Sequence, residues 1–472
     1  MPNWIGTSSI LIKGNIYMKS SAIKLMSVIG ASGILIQAAF IQSASATNLA
    51  EIYDLAVNND PQLAAASASY KASAENVPQA RAGLLPVISA GLRTTYTNRD
   101  VTDIGFSDEF NDNGWQATLR QPVFRLDSWF RFQQSKNLVS QARAQFASDQ
   151  QELIFRVSDS YLTILQTNDQ LSASNAERDA VKRQLEQVQQ RFDVGLVAIT
   201  DVLESTAAFD TSTVNVIEAE GAQSISFETL LRLTNQQFSS VEGLAEDFPV
   251  AYPEPNNEEA WVARALEGNY SVIVARESVK AAQNNLHGSR SRHLPTVDAE
   301  LTYAESSSGG SNNFGAEVEQ RTAALVINVP IFNGLATRSV AKQAGHLLEQ
   351  SQKNLDLTQR TVVENTRNLF SAINTDVARV KARLRGIESS QSALEATQTG
   401  YEVGTRNIVD VLLAQQRLYL AQFQYSSARY RYIRDTLRLK QSVGSLSPDD
   451  IYALNKFITS ENSVTRITPS TR

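Results

Sequence analysis

One spacing constrains this chain more than any other feature: a segment near residue 195 is written again 209 residues further on. In the stretch Arg191–Leu203, Phe192 answers to Tyr401, Val194 to Val403, Gly195 to Gly404 and Ile199 to Ile408, while Asp201-Val202-Leu203 answers to Asp410-Val411-Leu412. The same spacing carries Leu85-Pro86 to Leu294-Pro295. With one residue of slippage it also carries Pro122-Val123-Phe124 to Pro330-Ile331-Phe332. Three separate matches at one spacing make the chain two structural repeats, residues 47–235 and 258–446. Between them, residues 236–257 contain Pro249, Pro253 and Pro255 and read as an irregular connector. Residues 447–472 fall outside the repeat and read as a mobile C-terminal tail.

Each repeat follows one grammar. A helical segment (49–82 or 258–292) precedes Leu-Pro, and two short runs of alternating polarity follow. Ile88, Ala90, Leu92 and Tyr96 share one face of the first run, against Ser89, Arg93 and Thr95 on the other. Val297, Ala299, Leu301 and Tyr303 do the same in the second repeat. The return runs place Trp115, Ala117, Leu119 and Val123, or Ala323, Leu325, Ile327, Val329 and Ile331, on one face. Period-two alternation over about 10 residues is the pattern of a barrel strand with one lipid face and one lumen face. The intervening stretches 97–114 and 304–322, rich in Asp, Asn, Ser and Gly, read as exposed loops. A pair of soluble hairpins is the plainer alternative.

After each hairpin the period changes. No proline occurs from Phe124 to Phe248 or from Ile331 to Leu446. Ile373, Val380, Ile387, Leu394 and Tyr401 fall at steps of seven, and Ile164, Leu171, Arg178, Leu185 and Phe192 repeat the stripe with one polar break. A sustained seven-residue apolar repeat means coiled-coil packing. A helix over 126–192 would be about 100 Å long at 1.5 Å per residue, beyond the core of any globular domain.

The N-terminus reads as an export signal. Lys19 and Lys24 precede an apolar stretch from Leu25 to Ile41, which ends in Ala44-Ser45-Ala46. This is the order of a secretory signal peptide, so residues 1–46 are set apart from the fold, with Met18 the better start than Met1. A membrane anchor is the competing reading, disfavoured because Gly and Ser interrupt the stretch. Of the 472 residues, 42% are apolar and 19% charged, which excludes both a disordered chain and a polytopic helical membrane protein. The formal net charge of −6 argues against nucleic-acid binding. The basic-aromatic run Arg429–Lys440 reads as a solvated and packing face of a helix. Cysteine is absent, which removes disulfides, thiolate metal sites and a lipoprotein cysteine. His287, His293 and His346 have no metal-ligand spacing, and no phosphate loop or nucleophile elbow occurs, so neither a cofactor, a metal nor an enzyme is expected.

Four strands per chain cannot close a barrel, which needs about eight or more, and open edges in lipid cost several kcal/mol per unpaired group. Three copies would supply twelve strands, and their helices would continue the barrel as a tube. The fold class expected is α+β and mostly helical.

The paired signatures Arg191–Leu203 and Tyr401–Leu412 resemble the two helix-turn-helix tips of TolC-family outer-membrane channels. So does the segment from Leu418 through Ala428-Arg429-Tyr430-Arg431-Tyr432 to Val443-Gly444-Ser445-Leu446. The resemblance covers nearly all of the chain after residue 46 and is closest to the multidrug-efflux and type I secretion branch. It implies a trimeric 12-stranded outer-membrane β-barrel continued by a long periplasmic α-helical barrel with a coiled-coil tip. In function it implies a homotrimeric exit duct in the outer membrane, extending into the periplasm and served by an inner-membrane transporter and a periplasmic adaptor. It further implies an entrance held shut by Tyr401 and Arg406 bonding Thr200 and Asp201 of the other repeat, with Asp410 in an acidic ring at the narrowest point. Leu413 stands where the family pattern has a second aspartate, which weakens that ring. Val194-Gly195-Leu196 and Val403-Gly404-Thr405 match the turns that adaptor hairpins contact. Without the resemblance, the two glycines are helix-ending turn residues, Asp201 and Asp410 helix N-terminal charges and Tyr401 a core position. A periplasmic coiled-coil adaptor is the competing function. It would show one hairpin flanked by soluble β domains, not a twofold repeat.

Overall fold

The computed structural model describes residues 46–309 and 316–467, within the unit spanning Ala44–Arg472. The expected signal peptide lies, apart from Ala46, outside the described residues, as does the middle of the second hairpin loop. In the first repeat α1 (Leu49–Asn59), α2 (Pro61–Ala74) and α3 (Asn76–Ala82) lead into β1 (Val87–Val101) and β2 (Phe106–Phe124). The long α4 (Leu126–Asp193) and its return α5 (Ile199–Thr234) follow, then a short β3 (Ser240–Leu244). The second repeat runs through α6 (Glu258–Gly268), α7 (Tyr270–Ser291), β4 (Thr296–Ser308), β5 (Glu317–Asn328), α8 (Ala336–Glu402) and α9 (Ile408–Ser442). It ends with α10 (Pro448–Asn455) and β6 (Ile458–Thr465).

The expected first helix of each repeat is broken. Asp60 caps α2, its carboxylate accepting from the Leu63 amide at 2.9 Å, with Pro61 at the first helical position where its missing N–H costs nothing. Asn269 similarly caps α7 through the amides of Ser271 and Val272. The long helices are unbroken, with 68 residues in α4 and 67 in α8, each about 100 Å. Elements α1–α3 and α5 line α4, and α7 packs against both α4 and α8. The heptad positions Ile164, Leu171, Ile373, Val380 and Leu394 are buried, whereas Arg178, the polar break, is half exposed and pairs with Asp179 at 2.8 Å.

Strands β1, β2, β4 and β5 form one antiparallel sheet in that order, with β1 and β5 as open edges. Register fixes its faces. Ile88 lies opposite Leu119, Leu119 opposite Leu301, and Leu301 opposite Ala323, while Ser89, Thr118, Thr302 and Thr322 align on the other face. The apolar face is exposed in the chain, Leu92 by 90% and Ile88 by 73%, as a surface covered by lipid must be. Two expectations change here. The stretch read as loop 97–114 is mostly strand, leaving only 102–105 as the turn, and in the stretch read as loop 304–322 residues 304–308 and 317–322 are strand as well. The 15 residues of β1 exceed the roughly 10 that a bilayer-crossing strand needs, and its far part, Arg93–Val101, is mostly polar. A bulge also skips Val123 and sets Phe124 opposite Val297, so Phe124 and not Val123 continues the apolar face. Where sheet meets helices, Asp298 of β4 takes a bidentate bond from Arg125 (2.9 and 2.5 Å) and a bond from Arg120 at 2.9 Å, clamping the first repeat to the second.

The reading of the C-terminal stretch as a mobile tail is corrected over its described residues 447–467, as is the wholly irregular connector. Strand β6 pairs antiparallel with β3 from the connector, and Thr47 bridges to Val241 on β3. Ile451, Leu454, Ile458 and Val464 enter the main core with Leu49, Ile52, Tyr161, Phe227, Trp261 and Ile373. This core lies at mid-height on the long helices, where elements of both repeats converge, and the tail's apolar side chains are buried there. Among the described residues no helix is long and apolar enough to cross a membrane.

Candidate gate at the helical tips

Two turns with the same backbone close the far ends of the helical pairs. Gly195 and Gly404 both hold φ +77°, a left-handed value that costs any side-chain-bearing residue about 1–2 kcal/mol. In the first tip the amide of Gly195 donates to Phe192 O at 2.8 Å and that of Leu196 to Arg191 O at 2.8 Å. In the second, the amide of Gly404 donates to Tyr401 O at 3.1 Å and that of Thr405 to Gly400 O at 2.8 Å. These bonds satisfy the last carbonyls of α4 and α8. Val194, Leu196 and Val403 stand 70%, 74% and 69% exposed. The expected adaptor-contact residues Val194, Gly195, Leu196, Val403, Gly404 and Thr405 are therefore all accessible, three of them as large apolar side chains in open solvent.

Behind the turns a separate core joins both tips. Val188 of α4, Val202 of α5, Leu394 of α8 and Ile408, Val411 and Leu418 of α9 are buried together, with Phe192 and Tyr401 packed against them. The Tyr401 ring lies under the Arg191 guanidinium, 5.0 Å from its centroid, a cation–π contact from one repeat to the other worth about 0.5–1 kcal/mol. The Tyr401 hydroxyl is buried and has no hydrogen-bond partner among the described residues. Arg406 reaches Asp410 one turn further along α9 at 3.8 Å. Asn407 caps α9, its side chain accepting from the Asp410 amide at 2.8 Å.

The structure thus gathers Tyr401, Arg406 and Asp410 at one tip and Thr200 and Asp201 at the start of α5 in the other. No hydrogen bond joins Tyr401 or Arg406 to Thr200 or Asp201 within the chain. Sequence reasoning missed Arg191, whose position in the second repeat is the side-chain-less Gly400, and Asn407, whose capping role needs the helix start to be known.

Higher on the helices lies a charged cluster that the motifs did not announce. Asp376 of α8 is fully buried and bonded by Arg379, with Arg431 of α9 at 3.6 Å and Asp435 beside it. Burial, then the neighbouring Asp435 carboxyl, pushes Asp376 up to about 6 against the opposing pull of the two arginines. Among the described residues, no three His, Asp or Glu side chains come together as a metal site.

Comparisons with known proteins agree with this architecture. The family described as outer membrane efflux protein matches residues 52–236 and 261–445, one segment in each repeat. The outer membrane protein TolC of Vibrio cholerae is 36% identical over 87% of this chain and 93% of its own length. The alkaline protease secretion protein AprF of Pseudomonas aeruginosa is 28% identical over 87% of each. Among solved structures, the outer membrane protein VceC from Vibrio cholerae superposes with a TM-score of 0.73 at 15% identity, covering 84% of this chain and 96% of that one. A match over both repeats sets aside the periplasmic adaptor reading. The chain belongs to the outer membrane efflux protein family, as an outer-membrane exit duct that extends into the periplasm.

Proposed function

We propose that three copies of this chain close a 12-stranded barrel and that the duct so formed is opened and shut at the helical tips. The observation that carries this is the four-stranded sheet with both edges, β1 and β5, unpaired beside an exposed apolar face. In lipid those edges cost several kcal/mol for each unpaired group, so β5 of one copy pairs with β1 of the next. The duct performs passive transport and no catalysis. Cargo reaches it from an inner-membrane transporter through a periplasmic adaptor that docks on the exposed turns at Gly195 and Gly404. The similarity to both a TolC and a protease secretion protein supports service in efflux and in type I protein secretion alike.

In the shut state the Tyr401 hydroxyl donates to Asp201 and Arg406 bonds Thr200 or Asp201. Each bond holds the tip by about 1–3 kcal/mol, a scale that a docking partner can overcome. The buried, unpartnered Tyr401 hydroxyl supports this role, because such a group costs free energy until it finds an acceptor. Three copies of Asp410 ring the entrance. Each carboxylate is shared with Arg406 and followed by Leu413, so the ring attracts cations weakly.

Single-channel conductance in planar bilayers tests the gate. Wild-type protein shows a small conductance, and Tyr401→Phe combined with Arg406→Ser raises it several-fold. Equal conductance from inserted wild type and double variant would sink the gate assignment.

A further inference from the structure

At the rim where the sheet gives way to the helices, the second repeat carries an apolar prong flanked by unpaired cations. After β5 the chain runs through Pro330, Ile331 and Phe332 to the start of α8, leaving Ile331 94% and Phe332 80% exposed. Its first-repeat counterpart, Val123-Phe124, stays 60% and 44% exposed even with β4 in place beside it, so a neighbouring strand does not cover such a prong. Phe124 continues the lipid-facing side of the sheet, and the prong occupies the same place at the end of β5. A cavity of about 250 Å³ opens beside it, lined by His293, Pro330, Ile331, Phe332, Thr337 and Arg338.

The two chargeable residues that line this cavity, His293 and Arg338, are both basic. Arg290 and Arg292 end α7, and Arg338 and Lys342 stand in the first turns of α8. None of the four makes an ion pair among the described residues, and no Asp or Glu occurs in 286–297 or 329–348. The nearest carboxylate in sequence, Asp298, is already held by Arg120 and Arg125. In the first repeat the same rim is built otherwise: Arg125 is spent on Asp298, Asp127 opens the helix, and Trp129, Phe130 and Phe132 follow. Arg81, the counterpart of Arg290, and Arg131 stand in the first repeat too, so what sets the second repeat apart is Arg292, Arg338 and Lys342 with no aspartate among them.

Because the helices continue from this rim into the periplasm, it stands at the headgroup level of the inner leaflet. We propose that it is a docking site for an anionic phospholipid of that leaflet, with acyl chains against Ile331 and Phe332 and the phosphate between Arg338 and the Arg292-His293 pair. Lone basic residues beside an apolar wedge are what an anionic lipid surface selects, whereas a protein partner would have to supply both carboxylates and an apolar socket at membrane depth. The inference rests on the outer-membrane placement of the duct but not on the gate or on the subunit number.

Native mass spectrometry of protein extracted in mild detergent, offered phosphatidylglycerol and phosphatidylcholine in equal amounts, tests it. The wild type is expected to retain phosphatidylglycerol preferentially, and Arg292→Gln with Arg338→Gln to lose about fivefold of that preference per arginine removed. Arg385→Gln, a remote exposed arginine on α8, should leave the preference unchanged. Phe332→Ser should reduce retention of both lipids without changing their ratio. Equal retention in the wild type, as when a neighbouring subunit covers the rim, would overturn the proposal, and so would a preference that survives the double variant. An unexpected subunit number in the spectra would alter the trimer reading while the lipid ratio still decides this one.

Discussion

The two repeats share one backbone plan, yet matched positions in them carry different chemistry. Thr167 and Ser226, facing each other from α4 and α5, hydrogen-bond at 3.2 Å. The positions 209 residues on are Asp376 and Asp435, the buried carboxyl pair between α8 and α9. At the tips, Asn407 caps α9 while its counterpart Ala198 leaves α5 without a side-chain cap. Ile408 is 1% exposed, and its counterpart Ile199 is 51% exposed. The second tip, which carries the proposed donors Tyr401 and Arg406, is thus capped and sealed. The first tip, with the proposed acceptors Thr200 and Asp201, has an uncapped helix start. If the proposed gate operates, this difference would make the second tip the fixed jaw and the first the yielding one.

The sharpest way to break this division is to remove one aspartate from each tip. Asp201→Ala should raise single-channel conductance several-fold, because it deletes the acceptor of the shut state. Asp410→Ala should leave conductance near the wild-type value and reduce only the preference for cations. If both variants open the channel equally, the two jaws are not distinct.

Next in size is the buried pair. Asp376 titrates near 6 in the folded protein, above the ordinary carboxyl value of 3.8. Between those values the folded state holds the extra proton, so stability falls as pH rises through this window and is lowest above it. The groups facing Asp376 are Arg379 on its own helix and Arg431 and Asp435 from α9. Grafting the first repeat's chemistry, Asp376→Thr with Asp435→Ser, should abolish that part of the pH dependence. Thermal unfolding of both forms at pH 5 and pH 7 would show it. A slope unchanged by the graft would mean that the pair does not carry the titration.

Smaller effects follow at the turns. Replacing either Gly195 or Gly404 by Ala forces a side chain into φ +77°, at about 1–2 kcal/mol each. Amide exchange should quicken at the altered tip alone. Smallest is the cap: Asn407→Ala should loosen the start of α9 by about 1 kcal/mol, and Ala198→Asn should firm the start of α5 by a similar amount. If the added cap also lowers the rate of opening, the looseness of the first tip is part of the gate.

Much of this was legible in the residues, and the reason is locality. Seven-residue steps such as Ile373, Val380 and Leu394 announce long packed helices because a helix returns to the same face at that interval. Alternation at Ile88, Ala90 and Leu92 announces a two-faced strand for the same kind of reason. The glycine turns and the repeat spacing are likewise written along the chain. The tail was misread because a short polar strand such as β6 has no periodicity of its own, and only the edge of β3 gives its amides partners. The extent of β1 and β2 was misread because polar strand residues beyond the bilayer look like loop until a register pairs them.

The sequence alone determined the twofold plan, the lengths of the helices, the lipid face of the sheet and the positions of the tips, since each depends on a period or a turn residue readable within a short window. Only the tertiary structure decided that Asp376 meets Asp435, that Tyr401 lies under Arg191 and that His293 and Arg338 line one cavity. Those contacts join residues far apart in the chain. Their energies depend on burial and on the charge across the gap, which no local pattern encodes.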